Sequence, residues 1–505
     1  MIGQCIGIID IGSGSVRLVV YERTDNGGHR VVDGSKRSTR LSGRMDESGA
    51  LPLGDIAELI DTLQHFKLIC SHHGITQIRT VATAAIRNAA NRDQILDEIH
   101  RETGLFIELL SGEDEAAYGF LGMINSLQAD NGYLIDIGGG STEVSLFMDR
   151  ELVHSVSFPF GCVSLNKKFD SKDGLTDDAL KSIESIVMAA VKENLWIGEL
   201  PGLPLVGVGG TVRALGKVHQ AAVDYPFRQT HNYIIEKNGV DELYHAMRAM
   251  PLDRRRKLPG LSKDRADVII PGVAILRAVF RAARAKHYHI CGAGLRDGLF
   301  HSTRFPNQPK LADPLAFSLK NISSLHTEAP TQHVMQVNRL ALNLLETLEA
   351  TIELPPEART ILHVASLLHR IGASIDYYDY APHSFYLIVH SQLNGLTHRE
   401  IVMTAAIASF RGKGKARTQT APYRVLVSEA DLDLVGKLGL LLQLAAALDR
   451  SETQRIGDLL ITIDGTRLLL APLAPLGSLA VERREVGELA AEFRKHWLLE
   501  PVLEG

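Results

Sequence analysis

The sequence predicts an α/β fold over its first 306 residues and a mainly helical region in the rest of its 505 residues. Three observations predict this division. An aspartate followed by glycines interrupts apolar, β-branched runs twice, at Asp10 and at Asp136, which is typical of two related hairpins. Strand-like and helix-like apolar spacings alternate between residues 1 and 126. After a group of prolines within residues 306–314, long glycine-poor helical patterns take over.

The best-defined motif is the hairpin Leu134–Val144, with the sequence Leu-Ile-Asp-Ile-Gly-Gly-Gly-Ser-Thr-Glu-Val. Its glycines lack a Cβ atom, so their backbone N–H groups can approach an anion closely, and the hydroxyl groups that follow add donors. Asp136 and Glu143 are hard oxygen ligands that suit a divalent cation retaining several waters. The alternative is a glycine-rich hairpin whose acids are merely solvated. The candidate anion-binding residues are Gly138, Gly139, Gly140, Ser141 and Thr142.

A second stretch repeats this pattern near the N-terminus. Residues 7–20 place Asp10 at the end of an apolar run, continue with alternating glycine and serine, and return to β-branched residues. We expect the two hairpins to belong to similar domains that face each other across a phosphate. The motif is not a Walker loop, because no Gly-Lys-Ser/Thr follows the glycines, and not a dinucleotide fingerprint, because the glycines enter a strand. This hairpin contributes Ser13, Gly14 and Ser15.

Composition and charge argue against several classes of protein. Lys plus Arg total 54 against 59 Asp plus Glu, a net charge of −5, so the whole chain carries no basic signal for nucleic acid. A polyanion would therefore have to bind to a local basic patch. Residues 253–257 form either such a patch or a solvated turn. The four cysteines lack C-x-x-C spacing, which indicates a reducing compartment without a zinc or disulfide framework. Without a membrane-spanning stretch or signal-peptide pattern, we expect a cytoplasmic protein.

Two further positions in the first 126 residues carry candidate chemistry. Arg87 follows a short strand predicted at residues 78–82, where it either clamps a phosphate or simply opens the next helix. Glu115 follows Ser111 and Asp114, which fit a capping box at a helix start. The capping box does not require Glu115. This residue is therefore either a general base that faces a cleft or a solvated acid in the first turn of the helix.

A third glycine-rich site lies at residues 205–215, and here the chain runs from a strand into a helix. The backbone N–H groups of Gly209, Gly210 and Thr211 at the helix start form a natural seat for an anion or a nucleotide. Tight packing of the strand against the helix is the alternative explanation for these glycines.

Together, five stretches resemble the exopolyphosphatase and guanosine pentaphosphate phosphohydrolase (Ppx/GppA) family. They are Asp10–Arg17, Ser111–Ala116, Asp136–Glu143, Gly207–Thr211 and Leu261–Gly272. Their order and spacing make the resemblance specific over residues 1 to 305. It implies two ribonuclease-H-like α/β domains, as in the actin, hexokinase and acetate kinase superfamily, with a cleft between them. Gly14 stands where the usual fingerprint has asparagine, which removes one side-chain contact but keeps a backbone donor.

The resemblance also implies roles for the candidate residues. Glu115 matches the family's catalytic base, which acts on the attacking water, and Arg87 matches an arginine that contacts phosphate. Asp10, Asp136 and Glu143 match the acids that hold Mg²⁺ or another divalent cation, partly through water. The matching phosphate-binding residues are Ser13, Ser15, Gly138 to Thr142, Gly209 and Gly210.

We expect three domains: residues 1–126, 127–306 and 307–505. The last resembles the family's helical domain, which is similar to metal-dependent phosphohydrolases with a His-Asp pair. Arg370 replaces the aspartate after His369, and Asp449 fits the distal aspartate, which is not a convincing metal site. We expect this domain to be catalytically inactive, and either to extend a basic channel or to contribute to a dimer interface. A small terminal sheet is predicted at Leu459–Ile463, Leu468–Ala471 and Ser478–Arg483.

The expected activity is removal of the terminal phosphate of inorganic polyphosphate as orthophosphate, by Mg²⁺-dependent in-line attack of a water activated by Glu115. The 5′-phosphate of guanosine pentaphosphate is an alternative substrate, and the motifs do not separate the two. A sensor that binds polyphosphate or an alarmone without hydrolysing it is the alternative from another class. We expect a homodimer with neither a nucleic-acid partner nor a membrane partner.

Overall fold

Two β-sheets organise the first 314 residues of this computed structural model, which describes residues 5–169, 175–474 and 477–504. The chain forms two compact units, Met1–Pro314 and Leu315–Gly505. Both large sheets lie in the first unit, and the second unit is mostly helical with a small sheet. The predicted α/β and helical classes are thus confirmed. The boundaries proposed at residues 126 and 306 remain predictions.

The first sheet has five strands in the order β3-β2-β1-β4-β5. Its strands are β1 (Cys5–Ile11), β2 (Val16–Arg23), β3 (His29–Arg37), β4 (Gln77–Ala82) and β5 (Ile107–Leu109). Its helices are α1 (Leu41–Arg44), α2 (Leu53–His72), α3 (Ala84–Arg87), α4 (Arg92–Thr103) and α5 (Gly112–Ile124). β1 pairs antiparallel with β2 and parallel with β4, so the predicted N-terminal hairpin lies at the centre of the sheet.

The second sheet has six strands in the order β10-β11-β9-β6-β7-β8. Its strands are β6 (Gly132–Ile137), β7 (Thr142–Met148), β8 (Glu151–Phe158), β9 (Leu205–Val208), β10 (Tyr233–Ile235) and β11 (Tyr288–Ile290). The helices are α6 (Cys162–Phe169), α7 (Asp177–Lys192), α8 (Gly209–Ala222), α9 (Lys237–Ala249), α10 (Leu252–Arg255), α11 (Ile269–Ala282) and α12 (Leu295–Arg304). β8-β7-β6-β9 repeats the order β3-β2-β1-β4, so the two halves share one plan.

Strand β1 is buried on both faces because its side chains alternate between two apolar clusters. Ile9 and Ile11 pack into the cluster that contains residues of helices α2 and α4. Ile6 and Ile8 point to the other face, where Phe300 of helix α12 joins their cluster. Helix α12, near the end of the first unit, therefore covers one face of the first sheet.

Helices α5 and α12 approach each other closely at glycines. A Cβ atom built on Gly122 would collide with the backbone carbonyl of Gly294, at the start of α12. A Cβ atom on Gly298 would collide with the backbone carbonyl of Tyr118 in α5. Because backbone atoms cannot move aside as a flexible side chain can, this contact requires glycine on both helices.

The second unit is built around helix α19 (Glu429–Ala447), which is apolar on nearly all sides and largely buried. Its helices are α13 (Pro314–Leu325), α14 (Thr331–Glu349), α15 (Ala358–Leu368), α16 (Tyr380–His390), α17 (His398–Ala408), α18 (Lys413–Thr420), α19 (Glu429–Ala447) and α20 (Ala480–Trp497). Its strands are β12 (Leu459–Asp464), β13 (Arg467–Pro472) and β14 (Glu500–Leu503). Among the described residues, every helix is too short or too polar to cross a membrane.

The terminal sheet corrects one prediction. The strands expected at Leu459–Ile463 and Leu468–Ala471 are present, but the one expected at Ser478–Arg483 is wrong, because helix α20 already begins at Ala480. The buried residues of α20 recur at helical rather than alternating spacing. The third strand is instead β14, which pairs parallel with β13.

The glycine contact between α5 and α12 can be tested by substitution. We expect Gly122→Ala to lower the free energy of unfolding of the first unit by about 1–3 kcal/mol, because the added methyl group overpacks the contact. Gly119→Ala on the same helix is the matched control, since nothing lies within 4 Å of its added Cβ atom. Chemical denaturation of both variants measures the difference, and equal stabilities would contradict the close contact.

Candidate active site

The two predicted hairpins lie against each other. A Cβ atom on Gly139 would lie 3.1 Å from the backbone nitrogen of Gly14, and one on Gly140 would lie 2.9 Å from the Ser13 hydroxyl oxygen. Both hairpins turn in the same way, since Gly12 donates to the carbonyl of Ser15 and Gly138 donates to the carbonyl of Ser141. The missing glycine side chains therefore allow the two loops to form one site.

A cavity of about 160 Å³ opens where the loops meet, and it gathers most of the predicted residues. The predicted residues in its lining are Asp10, Ser13, Gly14, Ser15, Glu115, Asp136, Gly138, Gly139, Ser141, Glu143, Gly209 and Gly210. The carbonyls of Gly138 and Gly139 accept hydrogen bonds from the start of helix α6. Because these carbonyls are already engaged, the loop is left to offer donors to an anion.

Four predicted residues do not line this cavity. The Thr142 hydroxyl is buried and donates to the Phe160 carbonyl at 2.8 Å. Thr211 is also buried and packs beside Gly272, where a Cβ atom would lie 2.6 Å from its methyl carbon. Gly140 packs against the first hairpin, and Arg87 contacts Glu115 without lining the cavity. Their direct contact with phosphate remains a prediction.

Six carboxyl groups line the cavity, those of Asp10, Glu115, Asp136, Glu143, Asp264 and Asp297. Burial raises the pKa of Asp136 to about 6, and the charge of Asp10 adds to that rise while Arg213 opposes it. Burial, followed by the charges of Glu115 and Asp136, raises the pKa of Glu143 well above its ordinary range. The Glu143 Oε1 atom accepts a hydrogen bond from the Ser157 hydroxyl at 2.7 Å. Such a concentration of buried acids opposes folding, and it is typical of functional sites.

Glu115 is positioned by local structure and by one arginine. The predicted capping box is confirmed: Ser111 accepts from the Asp114 backbone, and Asp114 accepts in return from the Ser111 backbone. Arg87 Nη1 donates to Glu115 Oε2 at 3.1 Å and to the Leu110 carbonyl at 2.8 Å. Burial raises the pKa of Glu115 to about 7, although Arg87 partly lowers it. A carboxyl with this pKa can accept a proton near neutral pH.

Four arginines of the cavity were not predicted from the sequence. Arg17, Arg213, Arg265 and Arg296 all line it. Arg17 pairs with Asp10 in the β1–β2 register, and Arg296 Nε lies 3.8 Å from Asp10 Oδ2. Burial, and then the nearby guanidinium groups of Arg296 and Arg213, lower the pKa of Arg17 to about 10. The position of Arg17 opposite Asp10 in the hairpin was a usable signal for one of these four residues.

The acids fit a magnesium ion that keeps most of its waters. Among the described residues, no group of three or more His, Cys, Asp or Glu is placed to hold a metal ion directly. Asp10, Asp136 and Glu143 nevertheless line one cavity, and burial raises the pKa of each. A cation would remove that unfavourable burial of negative charge, and Mg²⁺ commonly binds through one or two carboxylates, with the rest of its shell made of water and phosphate.

The second unit shows how Arg370 is accommodated in place of an aspartate. Arg370 forms an ion pair with Glu452, and His369 Nδ1 lies 2.7 Å from the Ser366 carbonyl. Asp449 pairs with His333, with 2.8 Å between the Nδ1 and Oδ2 atoms. The contacts of His333 and Glu452 were not predicted from the sequence. In this arrangement the guanidinium group of Arg370 places a positive charge beside the buried side chains of His333 and His369.

Comparison with known proteins identifies the family. The model of the Ppx/GppA phosphatase family matches residues 19–304, and the model of domain III of the same phosphatases matches residues 320–472. The chain belongs to the Ppx/GppA phosphatase family. As a family member it is a hydrolase, with two large sheets in its first unit and a mostly helical domain III.

Two named relatives and one crystal structure are similar to this Ppx/GppA phosphatase. The guanosine-5′-triphosphate,3′-diphosphate pyrophosphatase of Vibrio vulnificus is 30% identical over 415 residues, which cover 79% of each chain. Exopolyphosphatase 1 of Mycobacterium tuberculosis is 29% identical over 298 residues, covering 58% of this chain and 86% of the relative. The crystal structure of the Aquifex aeolicus family member has a TM-score of 0.52 at 27% identity, covering 60% of this chain and 99% of that one.

The buried acids predict a dependence of stability on pH. The pKa of Glu143 is higher in the folded than in the unfolded protein, so its contribution is fully present below pH 4 and is lost as the pH rises through the folded pKa. We expect Glu143→Gln to raise the Tm of the metal-free protein at pH 8, by an amount that shrinks toward pH 5. Thermal unfolding with a chelator measures this. Glu113→Gln, at an exposed site, is the control, and a pH-independent difference would contradict the explanation.

Proposed function

We propose that this phosphatase is an exopolyphosphatase, which hydrolyses the terminal anhydride of inorganic polyphosphate and releases orthophosphate. The observation that carries this proposal is a second cavity of about 440 Å³ that adjoins the first. The two cavities share lining residues, including Arg17, Arg213 and Arg296. A chain bound with its end at Glu115 would extend from the first cavity into the second.

The second cavity has the charge that a chain of phosphates requires. Its cationic residues are Arg17, Lys36, Arg213, Lys217, Arg265 and Arg296, and none of the described residues that line it is acidic. The whole chain has a net charge of −5, so this basic surface is local, as a polyanion substrate demands. The remaining lining residues are small or aliphatic, such as Leu18, Val19 and Ala214.

The same lining favours inorganic polyphosphate over a guanosine nucleotide. A nucleotide base is usually held between apolar or aromatic surfaces with a few placed polar groups. The described residues around the second cavity include no Phe, Tyr or Trp. Guanosine pentaphosphate remains the second candidate substrate, because the relative from Vibrio vulnificus that aligns over 415 residues is named for guanosine-5′-triphosphate,3′-diphosphate.

The chain's own residues account for the chemistry of hydrolysis. Phosphoryl transfer has a loose transition state, so it requires positioning and charge stabilisation more than covalent help. Glu115 orients the attacking water and accepts its proton while the bond from phosphorus to the bridging oxygen breaks. Arg87 fixes the Glu115 carboxylate, and the hairpin donors hold the terminal phosphate. Arg17 and Arg213 stabilise the negative charge that develops on the departing chain.

A divalent cation belongs to this proposal as well. Asp10, Asp136 and Glu143 would hold Mg²⁺, in part through water, and the ion would neutralise charge on the phosphate oxygens. We also propose that the protein acts as a homodimer, with polyphosphate as its main partner molecule.

The first test is the role of Glu115. We expect Glu115→Gln to lower turnover of long-chain polyphosphate by about 10²–10⁴, the usual contribution of a general base, and to leave binding of the chain nearly intact. Glu113→Gln on the same helix is the matched control, because Glu113 is exposed and outside the cavity. Orthophosphate release in the presence of Mg²⁺ gives the rates, and unchanged turnover in Glu115→Gln would refute the assignment.

The second test compares substrates. We expect long-chain polyphosphate to release orthophosphate faster than guanosine pentaphosphate when the two are assayed in parallel with the wild-type protein. The physical reason is the lack of an aromatic surface for the base among the described lining residues. A faster rate with guanosine pentaphosphate would establish the second candidate instead. Tight binding of both without release would indicate a sensor.

A further inference from the structure

Four charged residues connect the two α/β halves across the mouth of the cleft. Arg40 Nη1 lies 2.5 Å from Asp267 Oδ2, and Arg40 Nη2 lies 3.0 Å from Asp267 Oδ1 and 2.7 Å from the Asp264 carbonyl oxygen. Lys36 Nζ lies 2.8 Å from Asp264 Oδ2. We call Lys36, Arg40, Asp264 and Asp267 the clasp.

The clasp joins well-separated parts of the chain. Lys36 is in strand β3, at the edge of the first sheet, and Arg40 immediately precedes helix α1. Asp264 and Asp267 precede helix α11, which is almost entirely buried in the second half. One side of the clasp is therefore anchored in a core, and the other lies on an edge strand and the loop after it.

The clasp also lies at the cavity. Lys36, Arg40 and Asp264 line the first cavity, whereas Asp267 does not. Asp267 can therefore influence a bound chain through Arg40 but not by direct contact. The positive charges of Lys36 and Arg40 also neutralise Asp264 and Asp267, whose negative charges would otherwise repel a polyanion at the entrance.

Its energetics suit reversible opening. The side chains of Arg40 and Asp267 are 39% and 26% exposed, and those of Lys36 and Asp264 are 41% and 36% exposed. Ion pairs this exposed are individually weak. The bidentate geometry of Arg40 with Asp267 adds orientation to the contact. The clasp is thus strong enough to bias the cleft toward closure and weak enough to release.

We propose that the clasp holds the cleft closed over a bound polyanion and so keeps the chain in place between successive cleavages. The inference rests on the proposed exopolyphosphatase function. A chain in the closed cleft touches donors from both halves, Ser13 and Arg17 from the first and Gly139 and Arg213 from the second. If the halves separate, the chain loses one set of contacts, and its dissociation accelerates.

Asp267→Asn separates this explanation from simple electrostatics. The substitution removes a negative charge near a polyanion site, so Coulomb attraction alone predicts that a bound chain dissociates more slowly or at an unchanged rate. Loss of the clasp predicts the opposite, faster dissociation. Asp267 does not line either cavity, so the turnover of a bound chain end should be unaffected.

The experiment uses the full-length protein with long-chain polyphosphate and Mg²⁺. We expect Asp267→Asn to raise the dissociation rate and the KM for the long chain about fivefold, with kcat unchanged, and to release more chains of intermediate length. Asp253→Asn is the matched control, because Asp253 pairs only with Arg256 in its own segment at 3.1 Å among the described contacts. Pulse-chase dissociation and gel analysis of products give the readouts.

A charge reversal completes the test. Arg40 has a left-handed backbone conformation (φ 49°), which aspartate tolerates better than most residues, so Arg40→Asp combined with Asp267→Arg can restore the pair. Because Arg40 lines the first cavity, the double variant is compared with Arg40→Asp alone, which places the same negative charge there. We expect the chain to dissociate more slowly from the double variant than from Arg40→Asp. A wild-type dissociation rate in Asp267→Asn, or a double variant that releases the chain no more slowly than Arg40→Asp, would overturn the clasp. Phosphate release by the wild-type protein would still support the proposed function in that case. Absence of wild-type release from polyphosphate would overturn both.

Discussion

The candidate site depends on burying acids and guanidinium groups together where two hairpins meet. Asp136 and Glu115 have raised pKa values because burial leaves their negative charge poorly solvated. Arg17 has a lowered pKa because burial and its neighbouring guanidinium groups disfavour its positive charge. The two sets lie close together, with Arg296 Nε 3.8 Å from Asp10 Oδ2. Phosphate and a hydrated cation are the ligands that would satisfy both sets of charges.

The fold creates this concentration of charge through one repeated plan. In each half, an aspartate is the penultimate residue of the first strand of an antiparallel hairpin, and the neighbouring parallel strand ends at the same edge of the sheet. After β4 the chain leads to Arg87, and after β9 it leads to Gly209 at the start of α8. Because parallel strands end at a common edge, the residues after their carboxyl ends gather there, and ligands bind among them. The glycines then let the two edges approach closely.

Local features of the site were predictable from the sequence. The capping box of Ser111 and Asp114, the hairpin at Asp136 and the helix start at Gly209 all arise from patterns within a few residues. Other details were not predictable. The Thr142 hydroxyl is used internally by a backbone carbonyl, and Arg87 contacts Glu115, because both outcomes depend on the exact approach of segments distant in sequence.

The sequence by itself determined the α/β and helical classes, the two hairpins and four of the acids that line the cavity, because apolar period and glycine placement are local properties. Only the tertiary structure decided which distant charges meet there. Arg265 lies in a stretch that resembled the family, but its place beside Arg17 and Arg296 in the cavity could not be predicted from that stretch. Arg40 likewise forms an ion pair with Asp267, which is 227 positions away in the sequence. Periodicity specifies which face of an element is buried, but it contains no information about which remote charged side chain lies opposite.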